Sequence, residues 1–252
     1  MVDFSLTDKI ALITGASRGI GEAIAKALAE QGAKCILVSR KPEGLDRVAG
    51  EINQAGGQAE TMACHAGYLD QIQALFDNVK EKHGKLDILV NNAATNPHFG
   101  ELISAEESHW DKIMDVNLKG PFFMIQRAVP LMEAAGGGDI LNISSENGIR
   151  PAFMQGIYSI SKAALISMTK AYAKELAPKK IRVNALLPGM TETKFSEALI
   201  SNKEIHNYVI QQIPMGRHAQ PDEMAGAALY LVSDAASFTT GAYLLCDGGM
   251  LA

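Results

Sequence analysis

Tyr158 and Lys162 stand four residues apart at the head of a stretch of helical period that runs from Tyr158 to Ala177, a spacing that sets both side chains on one face. A phenol with a pKa of about 10 releases its proton too reluctantly to act as a base near neutral pH unless a neighbouring cation stabilises the phenolate. Lys162 supplies such a cation. Ser144-Ser145 closes an apolar run, Ile140 to Ile143, and Asn117 interrupts the apolar face of a long helix expected from about Ser108 to Ala135. A serine hydroxyl beside the phenol can hold a substrate oxygen while Tyr158 exchanges a proton with it. The chemistry these four residues suggest is proton transfer to or from an oxygen.

A second group of residues suits an anion. Thr14-Gly15-Ala16-Ser17-Arg18-Gly19-Ile20-Gly21 follows an apolar run and opens a helix. Glycines there let the backbone turn sharply and approach a pyrophosphate, which the free N–H groups and the helix dipole then hold. The spacing is GxxxGxG rather than GxGxxG. A dinucleotide site ordinarily has an acidic residue about 20 positions on, to accept the ribose hydroxyls; the interval Gln31 to Pro42 has neither Asp nor Glu. Ser39-Arg40-Lys41 stands there instead, and Arg18 lies inside the turn, so two guanidinium groups could close on a ribose 2'-phosphate. This favours NADP(H) over NAD(H). The alternative, that Arg40 and Lys41 are solvated residues at a strand end, predicts little discrimination between the cofactors.

The elements that must position these groups alternate along the chain. Strands are expected at Ile10 to Thr14, Cys35 to Val38, Ala59 to Cys64, Leu86 to Val90, Ile140 to Ile143, Ile181 to Leu187 and Tyr243 to Cys246. Between them lie stretches of helical period: Ile20, Ala23, Ile24, Ala27 and Leu28; Leu45, Val48 and Ile52; Ile72, Leu75, Phe76 and Val79; and a shorter one at Glu223 to Val232. Such alternation predicts an α/β fold, a Rossmann-like doubly wound parallel sheet of about seven strands with helices on both faces, in three layers. The whole chain, 1–252, reads as one domain, with a substrate lid expected in the polar stretch 191–216.

Composition narrows the function classes. Of 252 residues 47% are apolar, enough for a sizeable core, and 23 Lys plus Arg against 28 Asp plus Glu leave a net charge of -5. That charge gives no reason to expect nucleic acid or an anionic membrane as partner. Three cysteines, Cys35, Cys64 and Cys246, lack CxxC spacing and read as reduced thiols of an intracellular protein. The amino terminus lacks the pattern of a signal peptide, no segment approaches a membrane span, and Met250-Leu251-Ala252 is not a peroxisomal address. The expected location is the cytoplasm. The six histidines fall in no metal-binding pattern, so no metal is expected. His98 reads as a loop residue near the path of a substrate.

Taken in order, the glycine turn, Asn91-Asn92-Ala93-Ala94, Asn117, Ser145, Tyr158-Ser159-Ile160-Ser161-Lys162, Pro188-Gly189 and Asp247-Gly248-Gly249 resemble the signature of the short-chain dehydrogenases/reductases. The segment around Asn96-Pro97-His98-Phe99-Gly100 is similar to the family's carbonyl reductases. The resemblance implies hydride transfer between nicotinamide and a carbonyl or alcohol carbon, with Tyr158 as acid/base and Ser145 positioning the reacting oxygen. It implies that Lys162 holds the nicotinamide ribose and lowers the tyrosine pKa, and that Asn117 fixes a water linking the lysine to solvent. Gly15, Ser17, Arg18, Gly19, Ile20, Gly21, Ser39 and Arg40 would take the phosphates and adenosine ribose. Asn92 and Ala93 would lie along the cofactor, and Pro188, Gly189, Met190, Thr191 and Thr193 would meet its nicotinamide end. One departure concerns adenine, since Cys64-His65-Ala66-Gly67 stands where many relatives have an aspartate; His65 and Ala66 are the replacements expected there.

Glu146, Phe153, Met154, Gln155, Met190 and Phe195 flank the catalytic positions, and their mostly apolar character suits a small hydrophobic carbonyl compound or alcohol. A 3-ketoacyl thioester reductase is the alternative enzyme. Leu131 to Asp139 carries Glu133 and Asp139 but no Lys or Arg to dock an acidic carrier, although Lys179-Lys180 could contribute. A silent NADP(H) sensor would need no proton donor, which the presence of all four catalytic residues disfavours. The resemblance implies assembly through the long helices and carboxyl-terminal segment, as a homotetramer or else a dimer. Leu165, Met168, Thr169 and Tyr172 add apolar surface beyond what one sheet face needs.

Overall fold

The computed structural model describes residues 2–197, 201 and 203–252. Seven parallel strands form one sheet in the order β3-β2-β1-β4-β5-β6-β7. They are β1 (Ile10–Thr14), β2 (Lys34–Ser39), β3 (Gln58–Ala63), β4 (Ile88–Asn91), β5 (Gly138–Ile143), β6 (Ile181–Pro188) and β7 (Tyr243–Cys246). The expected strands are all present, with ends shifted by up to two residues.

Period-two alternation along the strands divides the core. Ala11 and Ile13 of β1 face α1 (Gly19–Glu30), α2 (Pro42–Gln54) and a late helix at Asp222–Val232. Ile10 and Leu12 face the other layer, built by α3 (Leu69–His83), α5 (Gly120–Ala134) and α6 (Gly156–Leu176). Because the chain leaves β3 at one edge and returns with β4 beside β1, the sheet has its topological switch between β1 and β4, where ligand crevices form in such folds. Among the described residues, no helix is long and apolar enough to cross a membrane.

The expected helix from Ser108 to Ala135 is in fact a rod with a defect. The helix α4 (Glu107–Met114) runs through a π-turn at Asp115–Lys119 into α5. The apolar periodicity carries on across the turn, which hides it in the sequence. Gly120, just after it, is held so close to the loop after β3 that an added Cβ would lie 2.0 Å from the Ala66 carbonyl oxygen. The segment 191–216 breaks into a turn at its start and a helix, α7 (Lys203–Ile210), with residues 198–200 and 202 of the expected lid outside the described residues. The helix at Asp222–Val232 is α8.

The apolar face of α6 is not the surplus surface expected for assembly. Leu165 and Thr169 are each 1% exposed within the single chain, because α6 lies directly on the sheet and the Thr169 hydroxyl accepts a hydrogen bond from Asn142 at 2.9 Å. They leave no surplus surface. Exposed apolar groups lie instead at Trp110, Phe122 and Phe238.

Gly120→Ala forces a methyl group against backbone that cannot swing aside, so we expect about 1–3 kcal/mol lower stability, the usual cost of overpacking. Urea denaturation checks this, and an unchanged midpoint would mean that the π-turn adjusts without strain.

Candidate active site

The ends of β1 and β4 are tied by Thr14. Its hydroxyl donates to the Val90 carbonyl at 3.2 Å and accepts from the backbone N–H groups of Asn92 and Ala93 at 2.9 and 3.0 Å. Asn92 answers by donating its amide to the Thr14 and Gly15 carbonyls at 2.9 and 3.2 Å. The glycine turn is thus clamped on the switch point. Gly15, with φ +68°, has no room for a side chain, since a Cβ would stand 2.6 Å from Asn92 Nδ2; at Gly21 it would stand 2.4 Å from the Gly15 carbonyl oxygen.

A cavity of about 760 Å³ opens over this junction. It runs from the glycine turn and the end of β2 to Tyr158. Gly15, Ser17, Arg18, Gly19, Ile20, Ser39, Arg40, His65, Ala66, Asn92 and Ala93 line it, as do Ser145, Tyr158, Lys162, Pro188, Gly189, Met190, Thr191 and Thr193. Gly21 lies beneath the turn and Asn117 behind the wall, and neither lines the cavity. The loop after β6 crosses back to the glycine turn, so that a Cβ on Gly19 would touch Thr193 at 3.1 Å.

The cavity is cationic at its outer end. Arg18, Arg40, Lys41 and Lys112 line it, and among the described residues neither Arg18 nor Arg40 pairs with a protein carboxylate. Arg47, by contrast, is held between Glu22 and Glu51, bracing α1 against α2. His65 stacks on Tyr68 with ring centroids 4.0 Å apart, and burial followed by the charges of Lys112 and Arg40 holds its pKa below the ordinary histidine value. Lys112 had no signal in the sequence, because only the return of α4 past the loop after β3 brings it here.

At the inner end, Tyr158 and Lys162 share a face at the start of α6, and Lys162 Nζ lies 5.5 Å from the Tyr158 ring centroid. Lys162 is anchored at both ends. Its ammonium donates to the Ile143 carbonyl at 2.7 Å, and its own carbonyl accepts from Ser144 Oγ at 2.8 Å. Burial pushes the lysine down to about 7. It also pushes the Tyr158 phenol above its ordinary value, with the Ser145 hydrogen bond opposing and the Glu146 charge reinforcing the shift. The chain alone therefore keeps the phenol protonated, contrary to the expectation that the lysine cation would dominate. Burial disfavours both charged forms.

Asn117 sits in the π-turn, where its Oδ1 accepts from the Thr95 N–H at 2.8 Å and its Nδ2 donates to the Thr95 carbonyl and to Ser161 Oγ at 3.0 and 3.2 Å. Its amide therefore joins the segment after β4 to α6. Of the expected pocket walls, Glu146, Gln155, Met190 and Phe195 line the cavity; Phe153 and Met154 do not, and Phe153 is 82% exposed. Phe195 lies against Tyr158 with ring centroids 5.5 Å apart. His98 turns to Ser104 and His109, away from the cavity. The reacting end is thus less apolar than expected, since Glu146, Asn147 and Gln155 form one side of it.

This arrangement can be compared with known proteins. The family profile described as Enoyl-(Acyl carrier protein) reductase matches residues 15–251. Dehydrogenase/reductase SDR family member 4 of Sus scrofa is 41% identical over 97% of this chain and 88% of its own length. The chain belongs to the short-chain dehydrogenase/reductase family. The 3-oxoacyl-[acyl-carrier-protein] reductase of Thermotoga maritima, another member, is 39% identical over 98% of this chain and 99% of its own. A crystal structure of a gluconate 5-dehydrogenase from Burkholderia cenocepacia, in complex with NADP and tartrate, superposes with a TM-score of 0.95 at 34% identity, covering 99% of this chain and 98% of that one. The chain is accordingly an oxidoreductase of this family, moving a hydride between a nicotinamide cofactor and a carbonyl or alcohol carbon. The glycine cradle, closed to side chains and rimmed by unpaired guanidinium groups, fits a phosphorylated dinucleotide.

The buried lysine has a cost that depends on pH. Unfolded, Lys162 titrates near 10.5, and folded near 7. Below pH 7 both states carry the proton and the fold bears the full penalty; the penalty shrinks as pH rises past 7 and is gone above 10.5. Lys162→Met should therefore melt above the wild type, with the gap widest near about pH 6 and narrowing toward about pH 10. Thermal melts across that range read it, and a gap that does not change with pH would locate the effect elsewhere.

Proposed function

We propose that this chain is a cytoplasmic, homotetrameric reductase that transfers a hydride from NADPH to a small carbonyl compound, with Tyr158 as its general acid/base. The observation that carries this reading is that Tyr158, Ser145 and Lys162 line the same cavity as the glycine turn and its two unpaired arginines. Nicotinamide, when bound, supplies the hydride to carbon or accepts it in the reverse direction. Ser145 holds the carbonyl oxygen by a hydrogen bond, and Tyr158 delivers its proton to that oxygen as charge develops there. A protonated, buried phenol is the form that carbonyl reduction needs. Lys162 holds the ribose hydroxyls and restores the tyrosine proton. Both Nδ2 protons of Asn117 are spent on Thr95 and Ser161, so a water fixed there meets the remaining lone pair of Oδ1 or the backbone of the π-turn.

Gly15, Ser17, Gly19, Ile20 and Gly21 form the pyrophosphate cradle, with Asn92 and Ala93 along its inner wall. Ser39, Arg18 and Arg40 take the 2'-phosphate of the adenosine ribose, His65 and Ala66 flank adenine, and Pro188, Gly189, Met190, Thr191 and Thr193 border the nicotinamide. NADP in the complex of the Burkholderia enzyme supports the same cofactor here. The cytoplasmic location is supported by three cysteines that are free thiols. Association between copies is supported by the exposed Trp110, Phe122 and Phe238.

A second reading is reduction of a 3-ketoacyl thioester, favoured by the Thermotoga relative. Lys179 and Lys180 do not help it. They enter β6 at its amino end, whereas the cavity opens at the carboxyl ends of the strands, and Lys179 pairs with Glu133 at 2.7 Å. Lys194, at the cavity wall, is the cation better placed for a thioester's phosphates.

The test follows NADPH and NADH oxidation with ketones, aldehydes, diketones and ketoacyl thioesters. Tyr158→Phe should abolish turnover with every one of them. Arg18→Ala/Arg40→Ala should raise KM for NADPH by at least ~10-fold, the loss of charge-assisted hydrogen bonds worth about 1.5–3 kcal/mol each, and should change KM for NADH little. Equal use of both cofactors by the wild type would overturn the NADP(H) assignment.

A further inference from the structure

Glu146 is an anomaly in the cavity. It follows Ser145 directly, is 7% exposed, and its Oε2 is buried without a hydrogen-bond partner. Buried carboxyl oxygens are nearly always satisfied, and one left bare lowers stability unless something arrives to meet it. No neighbour among the described residues does. Asp247, whose charge reaches Glu146, has its carboxylate engaged by the N–H groups of Gly249 and Leu251 at 2.9 and 2.8 Å. The Asn147 amide turns to Gln155 at 3.5 Å. Arg150, four residues on, is exposed and forms no ion pair with Glu146 among the described residues. The carboxyl group belongs to the cavity wall, beside Gly189, where an added Cβ would stand 3.0 Å from Oε2.

We infer that Glu146 is a specificity residue that binds a hydroxyl group on the carbon next to the reacting carbonyl, so that the substrate is an α-hydroxy ketone or the corresponding vicinal diol. The inference rests on the proposed reduction at Tyr158 and Ser145. Ser145, Tyr158 and Glu146 line the same cavity, and the Glu146 charge is felt at Tyr158, so the carboxyl group stands beside the place where Ser145 and Tyr158 hold the reacting oxygen. A hydroxyl donates to the carboxylate and accepts from the carboxylic acid, and thus suits either protonation state. That matters here because burial, with Asp247 adding and Arg150 opposing, pushes Glu146 up to about 7. An ammonium group would suit only the charged form. Asn147 and Gln155, on the same wall, extend a polar surface for further hydroxyls.

The test compares 1-hydroxy-2-pentanone with 3-hexanone, which replaces the hydroxyl by a methyl group. Sites built to hydrogen-bond a hydroxyl reject the analogue lacking it. The wild type should prefer the hydroxy ketone by at least ~10-fold in kcat/KM, Glu146→Leu should bring that ratio close to one, and Glu146→Gln, which can still donate and accept, should keep part of it. A wild-type ratio near one, or a ratio unmoved in Glu146→Leu, overturns the inference. A raised KM for NADPH in Glu146→Leu with the substrate ratio unmoved also overturns it, by assigning the carboxyl group to the nicotinamide amide.

Calorimetry on the NADP+-loaded enzyme with 1,2-pentanediol and 3-hexanol separates this from the underlying reaction. Tighter binding of the diol that disappears in Glu146→Leu sustains the inference even where neither ketone turns over. Equal binding overturns it, while turnover lost in Tyr158→Phe leaves the reaction itself standing.

Discussion

Everything in the site depends on how β1 and β4 are joined where the sheet changes direction. At a topological switch the connecting segments diverge to opposite faces, which leaves backbone groups at the two strand ends without ladder partners. One hydroxyl, that of Thr14, closes the gap by donating to β4 and accepting from the two residues that follow it. The Asn92 amide then holds the glycine turn from behind. The cradle's shape is therefore set by side chains of two strands far apart in the chain, and not by the glycines alone. The glycines permit the turn, and Thr14 and Asn92 select it.

The electrostatics of the reacting end follow from burial more than from charge pairing. Tyr158 and Lys162 lie in a layer where neither phenolate nor ammonium is well solvated, and the lysine is held by a neutral carbonyl from β5. Such a pair keeps its protons on oxygen and shares them easily at nitrogen, which is the disposition of a proton donor with a nearby reservoir. The arginines at the opposite end are exposed and, among the described residues, have no carboxylate partner. One cavity thus joins a polar, charge-seeking end to a poorly solvated one.

Much of this was legible in the sequence, because the glycine turn, the strands and the Tyr158–Lys162 pair are local patterns whose spacing maps directly onto one turn or one face. The fold followed from alternation of periods two and 3.6, and its strand ends erred only where a terminal residue can belong to strand or loop, as at Asn91 and Pro188. What escaped depended on contacts between distant segments. Leu165 and Thr169 looked like surplus apolar surface until the Asn142 amide was seen to reach Thr169. Glu146 passed as one more wall residue, since its isolation depends on the fold setting Asp247, a like charge, beside it and turning the Asn147 amide toward Gln155. Phe153 looked like a wall and points outward, for the loop before α6 is pinned by the Gly100–Gln155 bridge instead. The sequence could not separate the π-turn from a plain helix, because its residues continue the apolar stripe.

That turn changes how the rod between β4 and β5 can be altered in evolution. A π-turn holds one residue more than the regular helix over the same span, and each residue of an α-helix advances the face by about 100°. The surplus residue therefore acts as a phase shift between α4, which leaves Trp110 at the surface, and α5, which buries Met124 and Ile125 against the sheet. Deleting any single residue there would yield a smoother helix and a worse protein, with Asn117 swung off Thr95 and the two halves turned out of phase. Length in this rod is under tighter constraint than its composition, and a relative with one residue fewer should carry a different group in place of the asparagine.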